Sequence, residues 1–230
     1  AQDLRRVDAG TLHGRILPVS APARATTRKR AGIPRQRLGL EPGNGLLRGA
    51  RQLPSPNCDD RPGGVVPELI VIHGISLPPG RFGGPHIDHL FTNVLDPAGH
   101  DYFRGIAGLK VSSHFLIRRT GEVVQYVPLH RRAWHAGKSS SRGRHQCNDF
   151  SVGIELEGTD DQPYSSAQYR RLATVIRVLR RGVPSLAAAP IVGHSDVAPG
   201  RKTDPGPAFD WQRLHGLLAP RRGRRPARKP

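Results

Sequence analysis

Two apolar runs, each halted by a histidine, constrain this chain most. Leu69-Ile70-Val71-Ile72 runs into His73, and Ala187 to Val192 runs through Gly193 into His194. Continuous apolar runs of this length read as strands covered on both faces. The second run opens onto the loop Gly193–Pro207, which carries His194, Asp196, Lys202 and Asp204 and is stiffened by Pro199, Pro205 and Pro207. A loop so polar and so restricted holds groups in place. Two histidines at the ends of two buried strands, with one carboxylate, can supply the three protein ligands of a catalytic zinc, leaving the fourth position to water.

At 230 residues the chain is expected to form one domain with appendages. Its two cysteines, Cys58 and Cys147, cannot build a disulfide framework, and reduced thiols in a cytoplasmic protein are the simpler reading. No apolar run approaches the roughly 18 residues of a membrane span. Residues 1–30 contain no apolar segment of the kind a secretory signal needs. These features predict a cytoplasmic protein with no membrane insertion.

The formal charge of +18 is uneven. Residues 1–50 hold ten Lys/Arg against three acids, and residues 219–230 hold six Lys/Arg and no acid, leaving about +5 for the rest. Such tails can bind polyanions without specificity. No aromatic residue is interleaved in the basic runs Arg28-Lys29-Arg30 and Arg221-Arg222-Gly223-Arg224-Arg225, so a base-stacking platform is not expected, nor any specific nucleic-acid partner. Residues 1–48 show no sustained period and are expected to be a disordered basic extension, 49–218 the folded domain and 219–230 a disordered basic tail.

Within the folded part, Glu68–His73 is the first expected strand. Pro85 opens a helix whose apolar positions Ile87, Leu90, Phe91, Val94 and Leu95 fall on one face, and Asp96-Pro97 stops it. Ser113–Arg118 and Glu122–Val127 read as a hairpin about Arg119-Thr120-Gly121. In Phe150–Glu157, Val152, Ile154 and Leu156 alternate with Ser151, Gly153, Glu155 and Glu157, which sets two glutamates on one face of a central strand. Ser165–Arg181 is a helix, with Ser165 and Gln168 as a capping box and Gly182 and Pro184 as its end. Phe209–Leu218 reads as a short closing helix with Trp211 and Leu214 inward. Strands interleaved with helices, plus one hairpin, predict an α/β domain with a mixed central β-sheet flanked by helices.

Five segments then combine into a resemblance. They are Val71–His73 with Ser76–Gly80, Val111–Ile117, Ala133–Gly137, Asn148–Gly158 and Lys202–Pro207. In series, from about Gly49 to Leu218, they resemble the zinc-dependent N-acetylmuramoyl-L-alanine amidases, whose fold is shared more distantly by peptidoglycan recognition proteins. Within that family they look like the branch of the 1,6-anhydro-N-acetylmuramyl-L-alanine amidases of peptidoglycan recycling. The resemblance implies hydrolysis of the amide between (1,6-anhydro-)N-acetylmuramic acid and L-alanine in small muropeptides. It also implies a Zn²⁺ cofactor, a cytoplasmic location and a link to β-lactamase induction. A monomer is expected.

Carried over residue by residue, the resemblance implies His73, His194 and Asp204 as metal ligands, Glu155 as the catalytic acid/base and Lys202 as the electrostatic partner of the oxyanion. Asp196 competes with Asp204 as a ligand, and Glu157 stands behind Glu155, its bland reading being a partner for an arginine at the strand end. Trp134, His114, His135 and Asn148 are substrate-wall candidates, with Trp134 equally readable as core. Lys110 stands where relatives carry an arginine for the substrate's acidic groups, keeping the charge but not the bidentate fork. His86 and His89 are expected to point outward from their helix.

Three other readings remain open at this point. A non-catalytic muropeptide-binding module on the same fold would be expected to lack a ligand or the glutamate, and neither is missing. A nucleic-acid protein driven by the tails would lose its binding with them. A cysteine hydrolase using Cys147 with His145 has no support in spacing.

Overall fold

The computed structural model describes residues 37–220. Its centre is a six-stranded sheet in the order Ile191–Gly193, Leu69–Ile75, Ser151–Glu157, Phe115–Ile117, Val123–Gln125, Arg51–Gln52. All neighbours run parallel except the Phe115–Ile117 and Val123–Gln125 pair, which is the expected hairpin. The sheet is therefore mixed. Its two long strands, Leu69–Ile75 and Ser151–Glu157, lie side by side in its interior, and Ser151–Glu157 is buried at every position.

The alternation in Ser151–Glu157 divides the molecule into two layers. Val152, Ile154 and Leu156 join Ile70, Ile72, Phe115 and Ile117 in a core beneath the helix Ser166–Gly182. That helix presents Leu172, Ala173, Ile176 and Leu179 to the sheet, all of them buried. Each such aliphatic side chain contributes about 1.5–3 kcal/mol through burial, so Leu172→Ala is expected to cost about 2–5 kcal/mol. Ser165 caps the helix as its sequence requires: its hydroxyl accepts from the Gln168 N–H and the Gln168 side chain accepts from the Ser165 N–H. The closing helix Trp211–Leu218 packs against it through the fully buried Leu214. The opposite face of the same strands carries Ser151, Gly153, Glu155 and Glu157, and there the polar residues collect.

Three local expectations are corrected. The helix after Pro85 spans only His86–Phe91. Asn93 takes a left-handed φ of 61° and the Val94 N–H returns to the His89 carbonyl at 2.8 Å, a closure that asparagine tolerates. Val94 thus falls beyond the helix and is 63 % exposed, although Leu95 is buried. The run Ala187–Val192 is a strand only at Ile191–Gly193, because a 3-10 turn at Pro184–Leu186 and the missing N–H of Pro190 delay pairing. Packing also begins before residue 49. Gly39–Leu40 pairs with Leu47–Arg48, and Leu47 is fully buried in the main core, its N–H donating to Gln125 Oε1. Residues 1–36 and 221–230, on which the rest of the expected extension and tail falls, lie outside the described residues. No described helix is long and apolar enough to cross a membrane.

Candidate metal centre and cleft

Sheet register brings the site together. Gly193 pairs with Ile72, so His194, the next residue, stands level with His73 on the neighbouring strand. His194 opens the short helix His194–Val197, and the Ser195 N–H donates to the Asp204 carbonyl at 2.9 Å, drawing the proline-rich loop back over the strand ends. The Gly74 N–H approaches Asp204 Oδ2 at 3.4 Å. Position 74 is tight: a Cβ there would come within 2.4 Å of the Tyr164 hydroxyl.

Three ligand atoms converge as a result. His73 Nδ1 lies 3.0 Å from His194 Nδ1 and 3.3 Å from Asp204 Oδ2, and His194 Nδ1 lies 3.1 Å from Asp204 Oδ2. Both imidazoles are buried. Two ring nitrogens aimed at one another beside a carboxylate leave lone pairs that repel unless a cation shares them. Two imidazoles and one carboxylate are the donor set of a catalytic zinc with a position left open. The residues therefore fit the ion, and among the described residues they form the one His/Cys/Asp/Glu cluster of metal-holding size.

Glu155 is the register partner of His73, and its Oε1 lies 4.0 Å from His73 Nδ1. Its Oε2 is buried without a hydrogen-bond partner. Burial, reinforced by the Asp204 charge and opposed by Lys202, holds the Glu155 carboxyl well above the usual carboxylate range. For Asp204 burial also acts upward, yet the His194 and His73 imidazoles against it overcome that effect and keep the carboxyl well below the usual range. Burial, against an opposing pull from Asp204, lowers His73 to about 4, which keeps the imidazole neutral and able to ligate. Two carboxylates within one site are thus driven apart, the pattern expected where one group can bind a cation and the other can carry a proton.

These groups floor a cleft of about 520 Å³, which also reaches Lys202, Trp134 and His135 and is walled by Tyr102, Ile106 and Leu109. Tyr102 and Leu109 are about half exposed, so the wall presents apolar surface to anything entering. These wall residues were not singled out in the sequence: Tyr102, Ile106 and Leu109 fall at i, i+4 and i+7, but the helix there covers only Asp101–Arg104.

The other candidates separate clearly. Glu157 is fully engaged elsewhere: it accepts from the Gly83 N–H at 2.6 Å and the Arg119 N–H at 3.0 Å, and pairs with Arg118 at 3.2 Å. Asp196 accepts from the Gly193 N–H at 2.7 Å and caps its helix instead of joining the cluster. Trp134 lines the cleft while its indole N–H donates to Asp59 at 3.0 Å. His114 and Asn148 do not line the cleft. His114 is fully buried, accepting from the Gly153 N–H and approaching the Arg131 carbonyl, and Asn148 Oδ1 is occupied by two backbone N–H groups. Lys110 is exposed and also stands outside the lining. Backbone groups of neighbouring segments, invisible to the sequence, claim His114 and Asn148 and draw them away from the wall expected of them, while Lys110, expected to meet the substrate's acidic groups, is exposed between the lining residues Leu109 and Val111. His86 and His89 are half-buried, His86 against Phe103, and take no part in the cluster. Cys147 is buried and its thiol is pushed up by that burial, while His145 is exposed, which leaves no activated cysteine there.

A His/His/Asp cluster beside a buried glutamate, at one end of a mixed α/β sheet, is the constellation of a metallohydrolase. The family model for N-acetylmuramoyl-L-alanine amidase matches residues 63–207, and the chain belongs to that family. The AmpD 1,6-anhydro-N-acetylmuramyl-L-alanine amidase of Citrobacter freundii is 58 % identical over 176 residues, 76 % of this chain and 94 % of that protein. Its counterpart from Escherichia coli (strain K12) is 58 % identical over 175 residues, 76 % of this chain and 95 % of that protein. A crystal structure of a selenomethionine AmpD derivative matches with a TM-score of 0.75 at 57 % identity, covering 78 % of this chain and 99 % of that one.

Proposed function

We propose that this protein is a zinc amidase that hydrolyses the amide joining the lactyl group of (1,6-anhydro-)N-acetylmuramic acid to L-alanine, acting on small muropeptides in cytoplasmic peptidoglycan recycling. The observation that carries this reading is the convergence of His73 Nδ1, His194 Nδ1 and Asp204 Oδ2 within 3.3 Å, with the Glu155 carboxyl beside them. The names of the AmpD relatives support the bond and the anhydro sugar. A cleft of about 520 Å³ suits one small molecule.

His73, His194 and Asp204 would hold the zinc. When bound, the ion supplies Lewis acidity, polarising a carbonyl and lowering the pKa of water. Glu155 takes the proton of the attacking water as the new C–O bond forms at the lactyl carbonyl. The Lys202 ammonium, on the rim of the cleft, faces the charge that develops on the carbonyl oxygen. Glu155 then delivers its proton to the alanine nitrogen as the C–N bond breaks, leaving a muramyl carboxylate and a free L-alanyl peptide. Burial suits Glu155 to the first step, since a carboxyl held above its ordinary range is a stronger base toward the proton of water. The apolar wall of Tyr102, Ile106 and Leu109 excludes water from one side of the scissile bond.

The amidase unit in this reading is a monomer spanning residues 37–218, and the basic extensions carry no specific nucleic-acid function. Purified protein is offered an anhydro-muramyl tripeptide and, separately, intact cell-wall sacculi. Rapid release of L-alanyl peptide from the tripeptide, with little from sacculi, is expected. Tight capture without cleavage would replace the enzyme by a recognition module.

A further inference from the structure

Both histidines of the cluster take their outer hydrogen bonds from one turn. His73 Nε2 lies 2.9 Å from His135 Nδ1, and His194 Nε2 lies 3.2 Å from the Ala136 carbonyl oxygen. Asn148 Oδ1 accepts from the backbone N–H of both turn residues, at 3.1 Å from His135 and 2.7 Å from Ala136. The Arg201 guanidinium donates to the same Ala136 oxygen at 2.5 Å.

The chain beyond His135 has a direction. Ser151 Oγ lies 2.5 Å from the Cys147 carbonyl oxygen, a group that only accepts, so the one hydroxyl proton goes there. Ser151 Oγ then accepts from His135 Nε2, 3.1 Å away. A neutral His135 protonated at Nε2 presents a bare Nδ1, which can only accept from His73 Nε2. His73, protonated at Nε2 in turn, presents a bare Nδ1, and that atom faces His194 and Asp204. The far end of the chain thus dictates the near end. The His135 ring also lies close on the central strand: a Cβ at Gly153 would come within 2.5 Å of it. Glycine at 153 is what lets the ring reach His73.

We propose that His135 is the positioning residue of the metal centre, holding His73 in the Nε2–H form, with Ser151 as the anchor of the chain and Asn148 as the clamp of the turn. This rests on the reading of His73, His194 and Asp204 as zinc ligands. His135 then serves the metal rather than the substrate, although its edge reaches the cleft. The same turn serves His194 through the Ala136 oxygen, so one side chain, Asn148, steadies the outer partners of both histidines.

Zinc affinity measured by competition with a chromophoric chelator, on wild type, His135→Leu, His135→Asn and Ser151→Ala, tests this. His135→Leu is expected to lose about 10–100-fold in affinity. His135→Asn, whose amide oxygen can stand in for Nδ1, is expected to recover most of that loss. Ser151→Ala is expected to lose less, because the ring remains but its proton is no longer assigned. Two-bond ¹H–¹⁵N spectra of the wild type are expected to show His73, His135 and His194 protonated at Nε2. His135 protonated at Nδ1, or unchanged affinity in His135→Leu, would overturn the proposal while leaving the metal site standing. Wild type that binds no zinc would instead overturn the metal site, and this proposal with it. If His135→Leu does not fold, the comparison of His135→Asn with Ser151→Ala and the wild-type spectrum decide.

Discussion

His73 and Glu155 are register partners on adjacent parallel strands, with His73 Nδ1 and Glu155 Oε1 4.0 Å apart. The separation of the proposed ligand and the proposed proton carrier is therefore set by ladder hydrogen bonds in the most buried part of the sheet. Groups on strands hold such distances better than groups on loops.

Glu155→Gln is the first consequence. The three ligands are untouched, so zinc content is expected to stay at the wild-type level while kcat falls by about 100-fold or more. Stability is expected to hold or rise, because the change replaces a buried ionisable carboxyl by a neutral group of the same shape. Metal analysis, turnover and urea denaturation of the same preparation check all three.

Glu157→Ala, two residues along the same strand, is expected to do the reverse. Its carboxylate is buried and ties Arg118 to the Gly83 and Arg119 backbone, so removal is expected to cost about 3 kcal/mol in urea unfolding. Zinc content is expected to be unchanged. A Glu157→Ala protein of wild-type stability that had lost turnover would move the proton carrier to that residue.

His194→Ala or Asp204→Ala is expected to abolish stoichiometric zinc binding at neutral pH. Chelation of the wild type is expected to lower its melting temperature, since zinc at about 100-fold its dissociation constant adds about 2.7 kcal/mol to the folded state. The same chelator is expected to leave the melting temperature of His194→Ala unmoved, which calorimetry checks.

Acid is expected to unfold the protein partly through His114. Burial, then the nearby Arg61 charge, lowers this imidazole from 6.5 to about 3, against a weaker upward pull from the Arg131 carbonyl. A proton added at Nδ1 would also face the Gly153 N–H, which now donates there. Between those values the unfolded chain binds the proton and the folded one does not, so stability is full above pH 6.5 and falls as the pH drops toward 3. The loss attributable to His114 is about 2 kcal/mol between pH 6.5 and 5. Urea titrations at both values, on wild type and His114→Asn, are expected to show the wild type losing more by that amount.

Long elements were legible because their patterns repeat. Ser151–Glu157 alternates over its whole length, and the helix from Ser166 carries both its cap and its stripe in sequence. The short pieces were not: Arg51–Gln52, and Cys58–Asp60 with Arg131–Ala133, have too few residues to show a period and exist because the sheet and a neighbouring segment offer partners. The same division runs through the site. His73, His194, Asp204 and Glu155 could be placed because each follows or interrupts an apolar run or sits in a segment of the resemblance. Their neighbours could not, since nothing in the sequence says that Asn148 spends its oxygen on the backbone of His135 and Ala136, or that His114 is sealed beneath Gly153. A polar residue in a recognised segment reads as a substrate contact until its hydrogen bonds are seen.

The most direct measurement is hydrolysis of an anhydro-muramyl tripeptide before chelation, after chelation and after zinc is returned, with the product identified by its new amino terminus. A free L-alanyl peptide is expected, its release stopping with the chelator and recovering with zinc. Cleavage that persists unchanged in metal-free protein, or at another bond, would contradict it.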